Sequence, residues 1–544
     1  MFIRKKPARP RALGEPLLHE NHKRPVTRRD FVSAGLLSAP AVIMAPAWLA
    51  AVLRSGNANA LSTDMQALLA ANQCNVPSAV AAISGVPFIC FDLAGGANLV
   101  GSEVLVGVQG GQSNLLSAAG YAKLGLPGNM LPTSSGFISN ALGLLWHSDG
   151  AILRGILSKA TTPVTAAGTN GAVICALSQN DTGNNPHNPM YGIAKAGAKG
   201  KLLTLIGSQS TVSGGNSAAP TALIDPTLQP TKISQPSDAV ALVKSGSGTG
   251  DPLAVAVLES VTRISGGTTP YNPNATDPTA AFTGKLARPA PTSAGLEFYT
   301  DPAADANLKN QVRCAYVRTA NTADAFGSSS ALDPTQDVNI IGGASPIFTA
   351  TDFADSDIAK TATVMKLVLN GYAGAGTITL GGFDYHDSTR ATGETRNFKA
   401  GQMIGAVLEY AQRVGSPVMI YVFSDGSLSA TSSIDGSTAG RGKLGWQGDN
   451  QDTASTFFLV YSPKGRPQLL NGATSQQIGY FSADGSVVPT SSPAANAVNQ
   501  LVQVVILNYM GLLGTSSQFS TLLPMQGLGS AAAQAALTAF APIV

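Results

Sequence analysis

A short Asp-x-His motif carries the clearest chemistry in this sequence. Asp384 and His386 follow a strand-like run at 377–380. Side chains at i and i+2 of an extended chain point to the same side, so both can reach one cation. An imidazole with a carboxylate suits zinc, manganese or iron. The motif therefore predicts a site for one or more divalent metal ions, whose identity the residues leave open.

Other apolar runs also end in polar residues. In an open parallel sheet, ligands bind beyond the carboxyl ends of the strands, so such residues are further candidate metal ligands. They are Asp92 after the run 86–91, His187 in the polar turns after 171–177, and Asp425 after 417–423. The alternative is structural, because polar residues after strands often form turns or cap helices. Under that alternative Asp384 and Asp425 cap the following helices, and His187 binds backbone groups.

The elements that must position these residues alternate between strand-like and helical patterns. Runs at 201–206 and 456–461 are further strands, and the segments 357–369, 398–414 and 494–513 have helical apolar spacing. Strands without polar alternation indicate a parallel sheet covered on both faces. We therefore expect one α/β domain over 61–544. A loop-rich segment at 208–350, with a helix at 251–264, is predicted as an insertion or small subdomain.

The first 60 residues have the pattern of a secretory signal. A basic segment leads to Arg28, Arg29 and Phe31, then to an apolar stretch over 32–53 and a small-residue exit at 58–60. The paired arginines predict export by the twin-arginine translocase, with mature protein starting at Leu61 in the periplasm or outside the cell. A retained membrane anchor is the alternative, since the stretch is almost long enough to span.

The net positive charge of the chain comes from the first 60 residues. Residues 61–544 hold 24 Lys and Arg against 28 Asp and Glu, a net charge of about −4, while the whole chain is +3. Without a basic patch, nucleic acid is not an expected partner. Beyond the leader no apolar run is long enough to be a clear membrane span.

The third histidine of residues 61–544 and the four cysteines are expected to have structural roles. His147 follows an apolar run, which favours a structural role. Cys90 and Cys175 lie in apolar, strand-like runs and are expected to be buried, whereas Cys74 and Cys314 flank loops and are the better candidates for a disulfide. No CxxC motif is present, so a cysteine zinc site is not expected.

Several of these motifs resemble a family of twin-arginine-exported bacterial proteins known only as a domain of unknown function (number 1501), itself similar to a distant branch of the alkaline phosphatase and sulfatase superfamily. The resemblance covers most of the mature chain. It rests on the leader, the Gly95-Gly96 turn after the first strand, His187, the run Gly381-Gly382-Phe383-Asp384-Tyr385-His386, and Phe423-Ser424-Asp425. It implies an alkaline phosphatase-like sandwich with Asp384, His386 and Asp425 as metal ligands.

The sequence departs from that family at three places. The family follows its Ser-Glu/Asp with Phe-Gly-Arg, whereas Gly426-Ser427-Leu428 follow here. The family's later Asp-His pair corresponds here to the loop 448–452, in which Asp449 and Asn450 suit a calcium-like ion better than zinc. The superfamily's nucleophile after the first strand has no clear counterpart. Asn98 is nearest in position, and Ser113, Thr133 and Ser134 are further candidates by position alone.

Two functions follow from these patterns. One is an exported protein that keeps the fold for binding or assembly and has lost catalysis. The other is a metal-dependent hydrolase of phosphate or sulfate esters, in which the metal polarises the ester. The missing histidine and nucleophile favour the first, and the retained Asp-x-His and Ser-Asp turns favour the second.

Overall fold

The structure is a computed structural model, and it describes residues 85–133, 135–179, 183, 185–242 and 329–544. Several predictions lie outside the described residues. They concern the export leader at 1–60, Cys74, Cys314, Ser134, the helix at 251–264 and most of the predicted insertion.

An eight-stranded sheet forms the centre of the described part of the chain, in the order β12-β4-β11-β8-β1-β7-β5-β6. Its strands, numbered along the chain, are β1 (Phe88–Leu93), β4 (Thr169–Cys175), β5 (Leu203–Gly207), β6 (Thr231–Lys232), β7 (Ala373–Leu380), β8 (Val418–Ser424), β11 (Ser455–Tyr461) and β12 (Gln477–Ile478). Two small antiparallel pairs lie outside the sheet: β2 (Ile138–Ser139) with β3 (Trp146–His147), and β9 (Leu428–Ile434) with β10 (Leu444–Asp449).

The sheet is parallel except at β11, which runs antiparallel to both β8 and β4. The chain between β8 and β11 makes only the β9–β10 hairpin and a short turn, so it returns at the edge where β8 ends. A parallel pair would have needed a crossover to the opposite edge, usually through a helix. The largely parallel α/β architecture predicted from the sequence is thus confirmed, and it is consistent with an alkaline phosphatase-like sandwich.

Helices cover both faces of the sheet. They are α1 (Ala118–Lys123), α2 (Ala151–Lys159), α3 (Pro163–Ala167), α4 (Met190–Lys195), α5 (Pro236–Ala241), α6 (Ser356–Leu369), α7 (Ala391–Val414), α8 (Val498–Leu512), α9 (Phe519–Leu522) and α10 (Ala531–Ala536). On one face α2, α6 and α7 share an apolar core with alternate residues of β1; on the other, α4 and α8 pack over the residues between.

The packing of strand β1 explains why its sequence is apolar without an alternation of polar and apolar residues. Ile89 and Phe91 belong to one apolar core, whereas Phe88 and Cys90 belong to the core on the opposite face. Every residue of the strand is buried. A strand covered on both faces has no solvent side, and so it reads as a continuous apolar run.

The edge of the sheet beyond β1 is where the candidate residues gather. Leu93 pairs with Leu380 of β7 on one side and with Ser424 of β8 on the other, so the three parallel strands end level. The turns that follow these strands carry the Asp-x-His and Ser-Asp motifs. Strands β7 and β8 are both neighbours of β1 and are not neighbours of each other.

Candidate metal site

The Asp-x-His motif lies on an extended segment whose side chains alternate between core and solvent. Phe383 and Tyr385 are buried, at 2% and 1% exposed. Between and after them, the side chains of Asp384 and His386 are 63% and 42% exposed. The two aromatic rings anchor the segment in the core, and the two polar side chains therefore point to the same side, as the spacing predicted.

Two glycines allow this segment to sit where it does. Gly382 has a φ of +84°, in the left-handed region that favours glycine. Gly95, in the turn after β1, lies so close to the segment that a Cβ atom there would overlap the backbone of Asp384. The double glycine after the first strand thus brings that turn against the Asp-x-His motif.

A third carboxylate comes from the β9–β10 hairpin. Asp449, the last residue of β10, Asp384 and His386 each offer one ligand atom, and these atoms all lie within 4.8 Å of one another. The His386 Nε2 and Asp384 Oδ1 atoms are 2.7 Å apart. All three residues are exposed. The group is able to hold a divalent metal ion, with two carboxylates and one imidazole as ligands.

Backbone hydrogen bonds hold the two parts of this group together. The Ser388 N–H donates to the Trp446 carbonyl and the Trp446 N–H donates to the Thr389 carbonyl, each with an N···O distance of 2.9 Å. The loop after His386 is thereby paired with β10, three residues before Asp449. This pairing gave no signal in the sequence, because the two segments are almost 60 residues apart.

Asp425 faces inward and lies outside the three-residue group. It is 2% exposed, its Oδ1 accepts the Gly95 N–H at 2.8 Å, and its Oδ2 accepts the Asn216 side-chain amide at 3.2 Å. Strand β9 follows it, so Asp425 does not cap a helix. Its carboxylate ties the turn after β1 and the loop after β5 to the end of β8.

Asp384 does not cap the following helix either. Helix α7 begins at Ala391, and Asp435 of the hairpin accepts the N–H groups of Arg390 and Ala391 at 2.8 and 3.1 Å. The capping alternative is therefore wrong for both Asp384 and Asp425. The hairpin supplies the cap from a distance of more than forty residues.

Asp92 is fully buried and bonded to the loop after β5. Its carboxylate accepts the N–H groups of Asn216 and Ser217 at 2.7 and 2.8 Å and the Ser217 hydroxyl at 3.1 Å. Burial raises the pKa of Asp92 to about 7, and the Asp425 carboxylate adds to the rise, while the hydrogen bonds oppose it. These bonds make Asp92 an anchor for the loop, and it too lies outside the exposed group.

His187 is buried at 2% exposure and stacks on Phe423, with ring centroids 5.9 Å apart. Neither of its ring nitrogens has a hydrogen-bond partner among the described residues. Burial lowers its pKa to about 4, so the ring is neutral near pH 7. The prediction of His187 as a loop residue that binds backbone groups through its ring does not describe this arrangement.

The remaining predicted residues have separate environments. His147 is buried, and its Nε2 lies 2.9 Å from the Met130 carbonyl, which confirms a structural role. The Asn450 side chain accepts the Asp452 N–H at 2.9 Å and so caps a short turn. Asn98 is buried and donates from its side chain to the Leu428 carbonyl at 3.3 Å.

The hydroxyl groups predicted as nucleophile candidates differ in environment from that of Ser424 in the Ser-Asp turn. Ser113 and Thr133 are exposed. Ser424, at the end of β8, is buried; its hydroxyl donates to the Leu93 carbonyl and accepts the N–H groups of Gly96 and Ala97. Ser424 therefore fixes the glycine turn after β1.

Comparison of the chain with protein-family models, curated proteins and solved structures gives no match. Among the described residues, no helix is both long and apolar enough to cross a membrane.

Proposed function

We propose that this protein is exported by the twin-arginine route and binds one divalent cation through Asp384, His386 and Asp449, on an alkaline phosphatase-like sandwich that no longer hydrolyses esters. The observation that carries the proposal is the convergence of the three exposed ligand atoms within 4.8 Å of one another. The export part of the proposal rests on the leader, and the relationship to the alkaline phosphatase-like fold rests on the family resemblance.

The chemistry of the three residues supports a transition-type divalent ion. An imidazole nitrogen favours zinc, manganese or iron over calcium, and two carboxylates balance the charge of the cation. The His386 Nε2 lies beside Asp384 Oδ1 at 2.7 Å, so both ligands are already close before an ion arrives. A bound ion would offset the repulsion between the carboxylates of Asp384 and Asp449.

The loss of ester hydrolysis is supported by the residues beneath the site. The sequence predicts Asp92 and Asp425 as further ligands, but both are buried. The Asp92 carboxylate accepts the Ser217 N–H, and the Asp425 carboxylate accepts the Gly95 N–H and the Asn216 side-chain amide. Asn98, nearest to the expected nucleophile, has an amide side chain that is a poor nucleophile. Within the part of the chain that the structure describes, Asp92 and Asp425 are thus engaged in hydrogen bonds of the fold, and Asn98 does not supply the nucleophile that ester hydrolysis would use.

Metal analysis of the mature protein tests this function. We expect about one transition metal per chain after purification from the native compartment. Chelation should lower the melting temperature, because a ligand at 100 times its Kd stabilises the folded state by about 2.7 kcal/mol. His386→Ala should lose the metal and the chelator effect together. A metal content well below one per chain, with no chelator effect, would refute the proposal.

The matched control is Asp452→Asn. Asp452 is an exposed carboxylate three residues from Asp449, and it is not part of the three-residue group. Removing it changes the local charge by the same amount as Asp449→Asn. We expect Asp449→Asn to weaken metal binding and Asp452→Asn to leave it unchanged.

A metal-dependent hydrolase of phosphate or sulfate esters is the second candidate. It is favoured by the exposure of the group, since three protein ligands leave coordination positions open for a substrate. In that case the metal-loaded protein would hydrolyse p-nitrophenyl phosphate or sulfate, and His386→Ala would abolish the activity while Asp452→Asn retained it. If the metal-loaded protein does not hydrolyse these esters, only the binding function remains.

A further inference from the structure

A buried cluster of three side chains, Tyr385, Trp446 and Arg390, links the two segments that carry the candidate ligands. The ring of Tyr385, which lies between Asp384 and His386 in the sequence, is 6.3 Å from the ring of Trp446 between centroids, and the two ring planes are tilted by 43°. The guanidinium carbon of Arg390 lies 4.3 Å from the centroid of Trp446. All three side chains are among the largest that are fully buried. This cluster thus joins the Asp-x-His segment to strand β10.

Arg390 is held in place by hydrogen bonds from its side chain and its backbone. Its Nε donates to Glu394 Oε1 at 3.0 Å, and its Nη2 donates to the Ser102 hydroxyl at 2.7 Å. Its backbone N–H donates to Asp435 at the far end of the β9–β10 hairpin. A planar guanidinium can stack and donate in fixed directions at once, which an ammonium group cannot do.

The charge of Glu394 is balanced by more than Arg390. The Lys443 Nζ, just before β10, lies 2.8 Å from Glu394 Oε1, and the Arg154 Nη2 lies 2.6 Å from Glu394 Oε2. Without Arg390 the glutamate would therefore still have two cationic partners. Loss of the Arg390 side chain removes the stack on Trp446 without leaving a buried carboxylate unpaired, so the fold should survive.

We infer that Arg390 is a positioning residue of the cation site, acting through Trp446 to set the separation between Asp449 and the Asp384–His386 pair. This inference rests on the cation-binding function proposed above. Trp446 pairs with Ser388 and Thr389 through its backbone, and Arg390 covers its indole. Asp449 follows three residues later on the same strand, so a displaced indole moves the ligand carboxylate.

Titration with Mn²⁺ tests the inference in the chelated, mature protein. Substitution of a residue that holds a metal ligand in its orientation typically lowers metal affinity by about 10- to 100-fold. We expect Arg390→Met to raise the Kd for Mn²⁺ by at least about 10-fold, and Arg390→Lys to raise it nearly as much because lysine keeps only the charge. Trp446→Phe, which replaces the indole between Tyr385 and Arg390 with a smaller ring, should also weaken binding.

The control is Arg413→Met, on the same helix. Arg413 pairs with Glu409 and donates to the Asn339 and Ser345 carbonyls, away from the hairpin. Its loss should lower the melting temperature of the metal-free protein while leaving the Kd for Mn²⁺ within about 2-fold of wild type. The rise in melting temperature caused by Mn²⁺ should shrink in the Arg390 variants and persist in Arg413→Met.

The outcomes separate the inference from the function on which it rests. If wild type binds Mn²⁺ and the folded Arg390 variants bind it equally well, Arg390 is not a positioning residue, although the cation site stands. If Arg390→Met does not fold, Arg390→Lys and Trp446→Phe decide by the same measurement. If wild type binds no Mn²⁺, the cation-binding function fails, and the inference fails with it.

Discussion

Tyr385 and Trp446 touch in the core, with ring centroids 6.3 Å apart, and their contact joins two segments that carry ligands of one candidate site. Tyr385 separates Asp384 from His386, and Trp446 precedes Asp449 by three residues on β10. The exposed polar residues therefore share a buried aromatic support. Rigid support of this kind is what holds metal ligands in a binding geometry.

The Tyr385 hydroxyl gives a first prediction about stability. It donates to Asn397 Oδ1 at 3.0 Å and accepts the Asn98 N–H at 3.2 Å. Tyr385→Phe keeps the ring but leaves two buried polar groups unpaired, so we expect a loss of about 1–3 kcal/mol in the free energy of unfolding. Urea denaturation measures this loss. Metal content should be unchanged, and an unaltered unfolding midpoint would contradict the hydrogen-bonding role.

The cysteines give a prediction about thiol reactivity. Cys90 and Cys175 are free and fully buried, and burial raises the pKa of both thiols. Neither should react with an alkylating reagent in the native protein, because the reactive thiolate is scarce and inaccessible. Rapid native labelling of either residue would contradict the placement of the strands.

The predicted Cys74–Cys314 disulfide is tested by the same reagent. In unfolded, unreduced mature protein we expect two labelled cysteines per chain, Cys90 and Cys175, by mass spectrometry. Reduction before labelling should raise the number to all four. Four labels without reduction would show that the disulfide is absent.

His187 gives a prediction about pH. Its pKa is lowered from 6.5 to about 4 by burial, so between these values the unfolded chain takes up a proton that the native protein refuses. The contribution of the neutral, buried His187 ring to the free energy of unfolding is thus complete above about pH 6.5 and is lost as the pH falls towards 4. At pH 5 the loss is on the order of 2 kcal/mol. His187→Leu should remove this loss.

Denaturation of wild type and His187→Leu at pH 7.5 and pH 5 measures the effect. The variant should gain stability relative to wild type as the pH is lowered. Asp92 acts in the opposite direction, because its raised pKa of about 7 favours the native state at low pH, and so the comparison must be between variants and not between pH values alone. An equal stability difference at both pH values would mean that His187 is not buried as a neutral ring.

The predicted export signal gives a prediction about where the protein is located in the cell. Arg28→Lys with Arg29→Lys should leave the precursor in the cytoplasm, because the paired arginines identify the signal to its translocase. N-terminal sequencing of the exported wild type should begin at Leu61. Lysine keeps the charge, so the substitution itself controls for charge. Normal export of the double variant would disprove the twin-arginine assignment.

The sequence by itself determined the main strands and two of the three residues of the candidate site. Continuous apolar runs marked β1 and β8, whose two faces are both covered, and the strand-like run 377–380 marked the end of β7. The Asp-x-His spacing placed Asp384 and His386 on one side of an extended segment, and the buried Phe383 and Tyr385 account for that direction. These features are local, so the periodicity of side chains along the backbone was enough to predict them.

Only the tertiary structure decided which other residues join the pair. The sequence predicts Asp425 as the third ligand because it follows a parallel strand. Its carboxylate instead accepts the Gly95 N–H, and the third residue of the group is Asp449 of the β9–β10 hairpin. Which carboxylate faces solvent depends on hydrogen bonds and aromatic contacts between segments far apart in the chain, such as that of Trp446 with Arg390. Such pairings leave no periodic trace in the sequence, because each arises from the packing of the whole fold.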